Sequence, residues 1–391
     1  MKPLQHLTIL DLSRVLACPF ASMILAELGA TVIKVEQPGA GDETRGFEPQ
    51  LAQDSAYYFA CNRSKSSITV NLRSTEGQNI IRELAQKVDV VVENFPAGTL
   101  GRYGLDFTLL STLNPRLVYV SCTGFGQTGP YAHKKGYDTV FQAMGGLMSL
   151  TGEKGGGPVK PGLPVADLTS GLWVAIGILA MLAGREKTGH GAHLDFSMLD
   201  GQVSLLTLAA ARYFALGEVP PRLGTEHPGR VPSATFLCKD GKFAHITASD
   251  QHWEPLCKVL GLNFDLDLAH NEMRVKHRDV VMQKLTDAIS KIERAKLLQM
   301  LDEVEVPIGP VNDVAEILSD PHVRARGLVG SFDYPGVGEF KALGLPFKFL
   351  GWDNPEIGAP PALGSDTEKL LADRLGYSKE KIAALKAAKA I

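Results

Sequence analysis

Short apolar segments alternate with helical patterns along the N-terminal part of the chain, and this alternation limits the possible folds more than any other feature. Thr8 to Leu12 predicts a strand, Pro19 to Leu28 an apolar helix and Thr31 to Val35 a second strand. Further strands are predicted at Ile68 to Leu72, Asp89 to Val92, Leu117 to Ser121 and His193 to Phe196. Strands separated by helices favour an α/β fold with a doubly wound, mostly parallel, Rossmann-like sheet.

A Pro- and Gly-rich stretch at 217–233, with four prolines and three glycines, divides the chain. Because this composition is typical of connecting segments, we predict a large domain over residues 1–216 and a linker over 217–233. A smaller α+β domain is predicted over 234–325, with a hairpin that turns at Lys239-Asp240-Gly241-Lys242. Residues 326–391 are predicted to return to the large domain and to pack C-terminal helices on it, with a partner subunit as the alternative site of packing.

The charge balance and the apolar segments argue against several classes of partner. There are 40 Lys and Arg residues against 43 Asp and Glu residues, without a basic stripe, so we expect no nucleic acid partner. Leu172 to Gly184 is shorter than the roughly 20 residues that span a bilayer, and we interpret it as a buried helix rather than a membrane anchor. The N-terminal residues lack the apolar run of a secretory signal, which favours a cytoplasmic location.

The cysteines and histidines do not form a metal or disulfide pattern. The five cysteines are odd in number, scattered and without a C-x-x-C pair, which argues against a disulfide framework or a zinc ribbon. His190 and His193 have a metal-like spacing, but no third ligand is near, and their Gly-rich surroundings are typical of a turn. We therefore expect no metal site.

The loop after the first predicted strand lacks the common nucleotide-binding motif. It reads Leu12-Ser-Arg-Val-Leu-Ala-Cys-Pro, and the next glycine is Gly29. The G-x-G-x-x-G turn, which lets backbone amides approach a dinucleotide, is therefore missing. The chain also contains neither G-x-x-x-x-G-K-[ST] nor G-x-S-x-G, which argues against phosphate-loop enzymes and serine hydrolases.

One carboxylate stands in a distinctive context. The segment Pro161-Gly-Leu-Pro-Val-Ala-Asp167-Leu-Thr-Ser-Gly171 brings a single Asp to the start of an apolar helix. Asp is a preferred helix N-cap, because its oxygens accept the free amides of the first turn. A carboxylate in apolar surroundings is also poorly hydrated and can act as a nucleophile when nearby amides hold its charge. The residues alone leave both interpretations open.

A series of short motifs runs along nearly the whole chain. The motifs are Asp11-Leu-Ser-Arg-Val-Leu-Ala, the segment from Leu28 to Arg45, Glu93-Asn-Phe-Pro, Gly124-Phe-Gly-Gln-Thr-Gly-Pro, Gly136-Tyr-Asp138, the Asp167 segment, Thr188-Gly-His-Gly, Asp195-Phe-Ser-Met-Leu-Asp, Val306-Pro-Ile-Gly-Pro and Asp320-Pro-His-Val-Arg-Ala-Arg-Gly. In this order they resemble the class III CoA-transferase family, also called CaiB/BaiF. Each motif is weak alone, whereas the ordered set is specific.

The resemblance implies that Asp167 is a nucleophile that attacks a donor acyl-CoA, forming a mixed anhydride and then an aspartyl-CoA thioester. It also implies a CoA site at Val15, Leu16, Ala17, Arg73, Asn94, Phe95, Arg102, Lys135, Tyr137 and Asp138. Arg14 and Arg45 are candidates to hold the distal carboxylate of a substrate. CoA and acyl-CoA are then substrates and no cofactor is tightly bound, with succinyl-CoA as the expected donor and a small dicarboxylate as the acceptor. An interlocked homodimer is also expected from the family.

Two alternative functions remain. The family includes α-methylacyl-CoA racemases, in which a histidine and an aspartate exchange the α-proton. Tyr137 stands at the position of that histidine, and the unperturbed pKa of tyrosine, about 10, suits proton exchange at neutral pH poorly. A CoA-binding protein without catalysis is the second alternative, which the complete Asp167 segment disfavours. Gln37 stands where some members of the family carry an arginine, and Cys18 stands where glycine is usual. We interpret Cys18 as a small buried residue.

Overall fold

A computed structural model describes all residues from 1 to 391. Its strands are β1 (Thr8–Asp11), β2 (Thr31–Glu36), β3 (Gln50–Leu51), β4 (Asp54–Ser55), β5 (Ser66–Thr69), β6 (Val90–Glu93), β7 (Val118–Thr123), β8 (His193–Ser197), β9 (Ser233–Leu237), β10 (Phe243–Thr247), β11 (Ile308–Pro310), β12 (Val329–Tyr334) and β13 (Gly338–Leu343). Its helices are α1 (Ala17–Glu27), α2 (Ala56–Asn62), α3 (Thr75–Ala85), α4 (Phe107–Leu113), α5 (Asp138–Met144), α6 (Leu147–Leu150), α7 (Val165–Thr188), α8 (Met198–Ser204), α9 (Thr207–Leu216), α10 (Asp250–Val259), α11 (Asn271–Lys276), α12 (Arg278–Ile289), α13 (Arg294–Asp302), α14 (Val314–Ser319), α15 (Pro321–Ala325), α16 (Thr367–Leu375) and α17 (Lys379–Ala387). Short 3₁₀ helices occur at Glu43–Gly46, Leu100–Tyr103 and Leu266–Leu268.

Six strands form one parallel sheet in the order β5-β2-β1-β6-β7-β8. Counted within the sheet in chain order, this order is 3-2-1-4-5-6, which is that of a doubly wound nucleotide-binding sheet. The direction of winding reverses between β1 and β6, which are paired from Ile9 and Val90 to Asp11 and Val92. The predicted doubly wound, parallel sheet is confirmed, and its switch point lies at the carboxyl ends of β1 and β6.

Alternate side chains of the sheet enter two different hydrophobic cores. Ile9 and Val90 belong to a core that includes α1 and α7. Their neighbours Leu10 and Val91 belong to a second core that includes α3, α4, α16 and α17. Because successive strand side chains point to opposite faces, a sheet covered on both faces needs continuous apolar runs such as Val90–Val92.

The edge strand β5 is covered by residues from the C-terminal part of the chain. The amides of Ser67, Thr69 and Asn71 donate, in that order, to the Asp366 carboxylate at 2.9 Å, the Thr367 hydroxyl at 3.0 Å and the Ala390 carbonyl at 2.8 Å. These bonds satisfy amides that an open sheet edge would leave unpaired. The strand ends at Thr69, whereas the sequence predicted Leu72, because the Asn71 carbonyl accepts from the Ser74 amide and starts a turn.

The chain forms two compact units. The first comprises Met1–Leu147, Lys160–Ala211 and His322–Ile391 and contains the parallel sheet and the β12–β13 hairpin. The second comprises Met148–Val159 and Arg212–Pro321 and contains the sheet β11-β10-β9 with α10 to α13. The predicted hairpin is present as the antiparallel pair β9 and β10. The segment 217–233 lies in the second unit and residues 326–391 lie in the first, while the predicted domain bounds themselves stay a prediction.

Helix α7 has 24 residues and is longer than the apolar segment that the sequence suggested. By length and composition alone it could cross a membrane, although a core helix passes the same test. Val174 and Ile178 are buried in the core shared with α1, whereas Trp173 and Ile176 are exposed. The helix therefore has one face inside the first unit and one apolar face outside it.

Gly171 allows α7 to approach α1 closely. A Cβ atom at this position would lie 2.7 Å from the Ala17 carbonyl oxygen and 2.9 Å from the Phe20 ring. We expect Gly171→Ala to lower the free energy of unfolding by about 1–3 kcal/mol, because the two helices must move apart. Gly184→Ala on the same helix is the matched control, since no atom outside the adjoining turns of this helix lies within 4 Å of its Cβ position. It should be neutral or stabilising by up to about 1 kcal/mol. Urea unfolding measures both variants, and equal stabilities would contradict the close approach.

Candidate active site

The crevice at the switch point lies between the loops that follow β1 and β6. Helix α1 follows β1 and packs on one face of the sheet, whereas the chain after β6 leads to α4 on the other face. Connections that leave neighbouring strands toward opposite faces open a crevice at the carboxyl ends, where doubly wound proteins bind their ligands. Residues 14–17 and 94–97 line this crevice.

The loop after β1 is held in a strained conformation. Val15 has a φ of 69°, in the left-handed region that β-branched residues avoid at a cost of about 1–3 kcal/mol. Its amide donates to both carboxylate oxygens of Asp42 at 3.3 Å. The Asn94 side chain accepts from the Arg14 amide at 2.9 Å and donates to the Arg14 carbonyl at 2.7 Å. The two loops of the crevice are therefore fixed to each other.

Buried charges beneath this loop hold Asp42 in place. Lys34 Nζ lies 2.8 Å from Asp42 Oδ2 and donates to the Ser13 carbonyl at 3.0 Å, and both charged side chains are fully buried. Burial opposes the ionisation of Asp42, but the Lys34 ammonium outweighs it and holds the pKa of Asp42 below its usual value. Asp11 and Lys65 form a second buried pair at 3.1 Å. Removal of one partner from such a pair costs about 3–5 kcal/mol, because the other charge stays buried without compensation.

Asp167 is the third residue of α7 and does not cap it. The helix begins at Val165, and no side chain of its N-cap residue Pro164 satisfies the first amides. The Asp138 carboxylate on α5 does so, since its Oδ1 accepts from the amides of Ala166 at 2.8 Å and Asp167 at 3.2 Å. The capping interpretation of Asp167 is therefore wrong, and the Asp167 side chain lines a cavity instead.

The Asp167 carboxyl ionises less readily than an ordinary aspartate. Burial raises its pKa to about 7, and the charge of Asp138 adds to the shift. The amides at the start of α7 act in the opposite direction, because a helix N-terminus favours a negative charge in its first turn. With a pKa of about 7, a substantial fraction of the molecules carries an ionised Asp167 at neutral pH.

Two adjoining cavities occupy the crevice. The Asp167 cavity has a volume of about 330 Å³, and the Arg73 cavity has a volume of about 480 Å³. They share Arg14, Glu43, Phe95 and Pro96 as lining residues. The predicted residues that line the Asp167 cavity are Arg14, Val15, Leu16, Ala17, Asn94, Phe95, Lys135, Tyr137, Asp138 and Asp167, and those that line the Arg73 cavity are Arg14, Arg73, Phe95 and Arg102. The structure thus brings all but one of the predicted site residues together.

Cationic side chains border both cavities. The Arg14 guanidinium lies 4.8 Å from the centroid of the Phe95 ring and pairs with Glu43 at 2.8 Å. Arg73 and Arg102 are exposed at the wall of the Arg73 cavity. Exposed guanidinium groups in a cavity of this size can pair with phosphate groups. Gln37, which stands where some members of the family carry an arginine, lines the same cavity and adds no charge.

Arg45 is the predicted site residue that lies elsewhere. Its side chain is only 6% exposed, and its guanidinium donates to Glu36 at 2.7 Å, Asp54 at 2.5 Å and the Tyr58 hydroxyl at 2.6 Å. These buried acceptors engage all three of its nitrogens. The prediction that Arg45 holds a substrate carboxylate is therefore wrong, because the group belongs to a structural ion-pair network.

Tyr57, which no motif includes, lies within electrostatic range of Asp167. Burial raises the pKa of its hydroxyl to about 12, with further contributions from Cys61 and from the charges of Asp167 and Asp138. The residue lies on α2, which packs against α1. Only tertiary packing reveals this neighbour.

Cys18 is a buried residue without the character of a nucleophile. The Cys122 thiol beside it, together with burial, raises the pKa of Cys18 well above its usual value. The thiolate is the reactive form of cysteine, so a thiol that resists ionisation is inert. The interpretation of Cys18 as a small buried residue is confirmed by its complete burial.

The raised pKa of Asp167 predicts a pH-dependent loss of stability. In the unfolded chain this carboxyl ionises near its usual pKa of 3.8, whereas in the folded protein it keeps its proton up to about pH 7. The free energy of unfolding is therefore highest below pH 3.8 and falls as the pH rises through about 7. We expect Asp167→Asn to be more stable than the wild type at pH 8, by on the order of 2 kcal/mol after allowance for solvent screening. The difference should vanish near pH 4. Urea unfolding at both pH values measures it, with the exposed Asp200→Asn as control. A difference that does not depend on pH would contradict this assignment.

Comparison with known proteins identifies the family of this chain. The profile of CoA-transferase family III matches residues 4–367. Succinyl-CoA:glutarate CoA-transferase of Mus musculus is 39% identical over 383 residues, which cover 97% of this chain and 88% of the relative. Acetyl-CoA:oxalate CoA-transferase of Acetobacter aceti is 38% identical over 367 residues, 92% of each protein. The crystal structure of a CaiB/BaiF family protein from Brucella suis has a TM-score of 0.86 at 38% identity, and the match covers 95% of this chain and 99% of that chain. The chain therefore belongs to CoA-transferase family III, the CaiB/BaiF family.

Proposed function

We propose that this CoA-transferase moves coenzyme A from succinyl-CoA to a small dicarboxylic acid, with Asp167 as the covalent nucleophile. The observation that carries the proposal is the poorly hydrated Asp167 carboxylate on the wall of a 330 Å³ cavity at the switch point of the sheet. The mouse and Acetobacter aceti relatives are each named for a dicarboxylate acceptor, which is glutarate in the mouse protein and oxalate in the bacterial one. We propose succinyl-CoA as the donor because it is the donor in the name of the mouse relative, which aligns with a larger share of this chain than the Acetobacter aceti relative does.

The two cavities suit the two ends of an acyl-CoA. In the Arg73 cavity, Arg73 and Arg102 supply charges for the phosphates, and Tyr103 offers an aromatic surface to the adenine. The pantetheine arm then passes the shared border at Arg14 and Phe95. This path brings the thioester into the Asp167 cavity, where the nucleophile lies.

The first half-reaction loads CoA onto the enzyme. A carboxylate oxygen of Asp167 attacks the thioester carbonyl of succinyl-CoA, and the C–S bond breaks to give a mixed anhydride and CoA thiolate. The thiolate then attacks the Asp167 carbonyl carbon of the anhydride. Succinate leaves with the bridging oxygen, and an aspartyl-CoA thioester remains.

The second half-reaction repeats these steps in reverse with the acceptor. A carboxylate of the dicarboxylic acid attacks the aspartyl-CoA thioester, which releases the thiolate and forms a second anhydride. The thiolate attacks the acceptor carbonyl of this anhydride and restores the Asp167 carboxylate. Each step exchanges a carboxylate for a thiolate, so no net proton transfer is required, and the acidic form of Asp167 does not take part.

The first turn of α1 is suited to stabilise the negative charge that develops in these steps. No side chain caps this turn at Leu16, so its amides stay available to a bound oxygen. Leu16 and Ala17 line the same cavity as Asp167. Gly171 lies one helical turn after Asp167, on the same face of α7, and its missing side chain brings this face against Ala17.

Two cations at the border of the Asp167 cavity can select a substrate with a second carboxylate. Arg14 and Lys135 both line this cavity. A distal carboxylate that pairs with either cation would be held away from Asp167, while the reacting carboxyl group faces it. A monocarboxylic acid of similar length would lack this contact.

Replacement of Asp167 tests the covalent mechanism. Asp167→Ala should lower transfer from succinyl-CoA to glutarate by about 1000-fold or more, because it removes the carboxylate that forms the anhydride. Wild-type enzyme incubated with succinyl-CoA and then hydroxylamine should carry a hydroxamate at Asp167, detected by peptide mass spectrometry. Asp200→Ala, on the exposed surface of α8, is the control and should retain both properties. Full transfer by Asp167→Ala would contradict the mechanism.

We also propose that the exposed apolar face of α7 is buried in a homodimer. Its exposed residues, Leu172, Trp173, Ile176 and Leu179, follow a helical spacing and form one stripe. An apolar stripe of this kind on a soluble enzyme is typical of a subunit interface.

Light scattering after gel filtration tests this interface. The wild type should have about twice the 42.1 kDa mass of one chain. Ile176→Glu should shift the protein toward the monomer, because the charge would be buried without a partner. Leu109→Glu on α4 places the same charge at another exposed leucine and should leave the mass unchanged. A monomeric wild type would contradict the proposal.

A further inference from the structure

The wall of the Arg73 cavity is tied to the residues that follow α17. Asn71 and Arg73 both line this cavity. The Asn71 amide donates to the Ala390 carbonyl at 2.8 Å, and Asn71 Nδ2 donates to the Lys389 carbonyl at 3.3 Å. Two adjacent carbonyls at 389 and 390 thus hold one residue of the cavity wall from both its backbone and its side chain.

The end of α17 presents these carbonyls in a defined geometry. Lys389 adopts a left-handed conformation with a φ of 55°, the Lys389 amide donates to the Lys386 carbonyl and the Ala390 amide donates to the Leu385 carbonyl, both at 2.9 Å. This pair of bonds is a Schellman motif, which here has Lys at the position that usually holds Gly. Ala390 is fully buried. The motif turns the chain so that the Ala390 carbonyl meets the edge of the sheet.

Asn71 also fixes the backbone at Arg73 and at the start of α3 through hydrogen bonds. Its Oδ1 accepts from the Arg73 amide at 3.1 Å, and its carbonyl accepts from the amide of Ser74 at 3.1 Å. Ser74 in turn caps α3, because its hydroxyl accepts from the Gly77 amide at 3.0 Å. The backbone of Arg73 is therefore fixed on both sides, whereas its guanidinium stays exposed to the cavity.

We infer that Asn71, anchored by the carbonyls of Lys389 and Ala390, is a positioning residue for the nucleotide end of coenzyme A, and that it acts by orienting Arg73. This inference rests on the proposed function, in which the Arg73 cavity holds the nucleotide. Because the Arg73 backbone is already fixed, the residue loses less conformational freedom when its guanidinium pairs with a phosphate. A residue with a purely structural role would affect folding without a selective effect on CoA affinity.

Binding of CoA by calorimetry, together with succinyl-CoA kinetics, tests the inference. Asn71→Ala removes the acceptor for the Arg73 amide and the donor to Lys389, and should weaken CoA binding and raise KM about tenfold with kcat within about twofold. Asn79→Ala, an exposed residue of α3, is the matched control and should change neither value. If Asn71→Ala folds poorly in thermal unfolding, Asn71→Ser is used, since its hydroxyl can still accept from the Arg73 amide. It should then show a smaller rise in KM.

A double-mutant cycle with Arg73→Gln separates the two levels of the proposal. Arg73→Gln alone should weaken CoA binding, and Asn71→Ala should have no further effect in the Arg73→Gln background. If Arg73→Gln weakens binding and Asn71→Ala does not, or if Asn71→Ala weakens it equally in both backgrounds, the positioning role is overturned while the proposed CoA site stands. If Arg73→Gln leaves CoA binding unchanged, the assignment of the nucleotide to this cavity is itself overturned.

Discussion

The buried ion pair of Lys34 and Asp42 is the interaction on which the site geometry depends. Both side chains are fully buried, and Asp42 uses its carboxylate to hold the left-handed Val15 through the amide. Without this acceptor a β-branched residue would leave the left-handed region, and the loop after β1 would relax. The start of α1, the border of the Asp167 cavity and the attachment to Asn94 all follow from the path of this loop. A charge pair that does not itself line the Asp167 cavity thus holds the loop that does.

The distribution of charge around the crevice separates the paired carboxylates from the proposed nucleophile. Asp42 and Glu36 have cationic partners, which outweigh burial and lower their pKa values. Asp167 has a like charge beside it in Asp138 and no cationic partner, and burial raises its pKa to about 7. A carboxylate that is paired with a cation is stabilised and unreactive. A poorly solvated carboxylate is less stable, so its acylation, which removes the charge, is more favourable. The protein therefore tolerates a local loss of stability at the position where the proposed chemistry needs it.

The strand pattern allowed the sheet to be predicted, because continuous apolar runs bounded by helices directly reflect a sheet buried on both faces. The place of Asp167 at the start of α7 was also visible in the sequence, whereas its role came from resemblance to a family. The error at Arg45 had a physical cause, since a surface-type residue and its acceptors Glu36 and Asp54 are brought together only by folding. The same holds for the cap that Asp138 supplies to α7 across 28 residues, and for Tyr57, which belongs to no motif.

The covering of β5 by residues 366, 367 and 390 has a consequence for biosynthesis. The Thr69 amide and its partner Thr367 are separated by 298 residues. At the usual elongation rates of a ribosome, roughly 15–60 s pass between the emergence of this strand and that of the residues that complete its hydrogen bonds. During this interval a nascent chain presents an unsatisfied sheet edge, which is the kind of surface that chaperones shield. The wall of the Arg73 cavity is therefore completed only after the translation of Lys389, which lies 318 residues beyond Asn71.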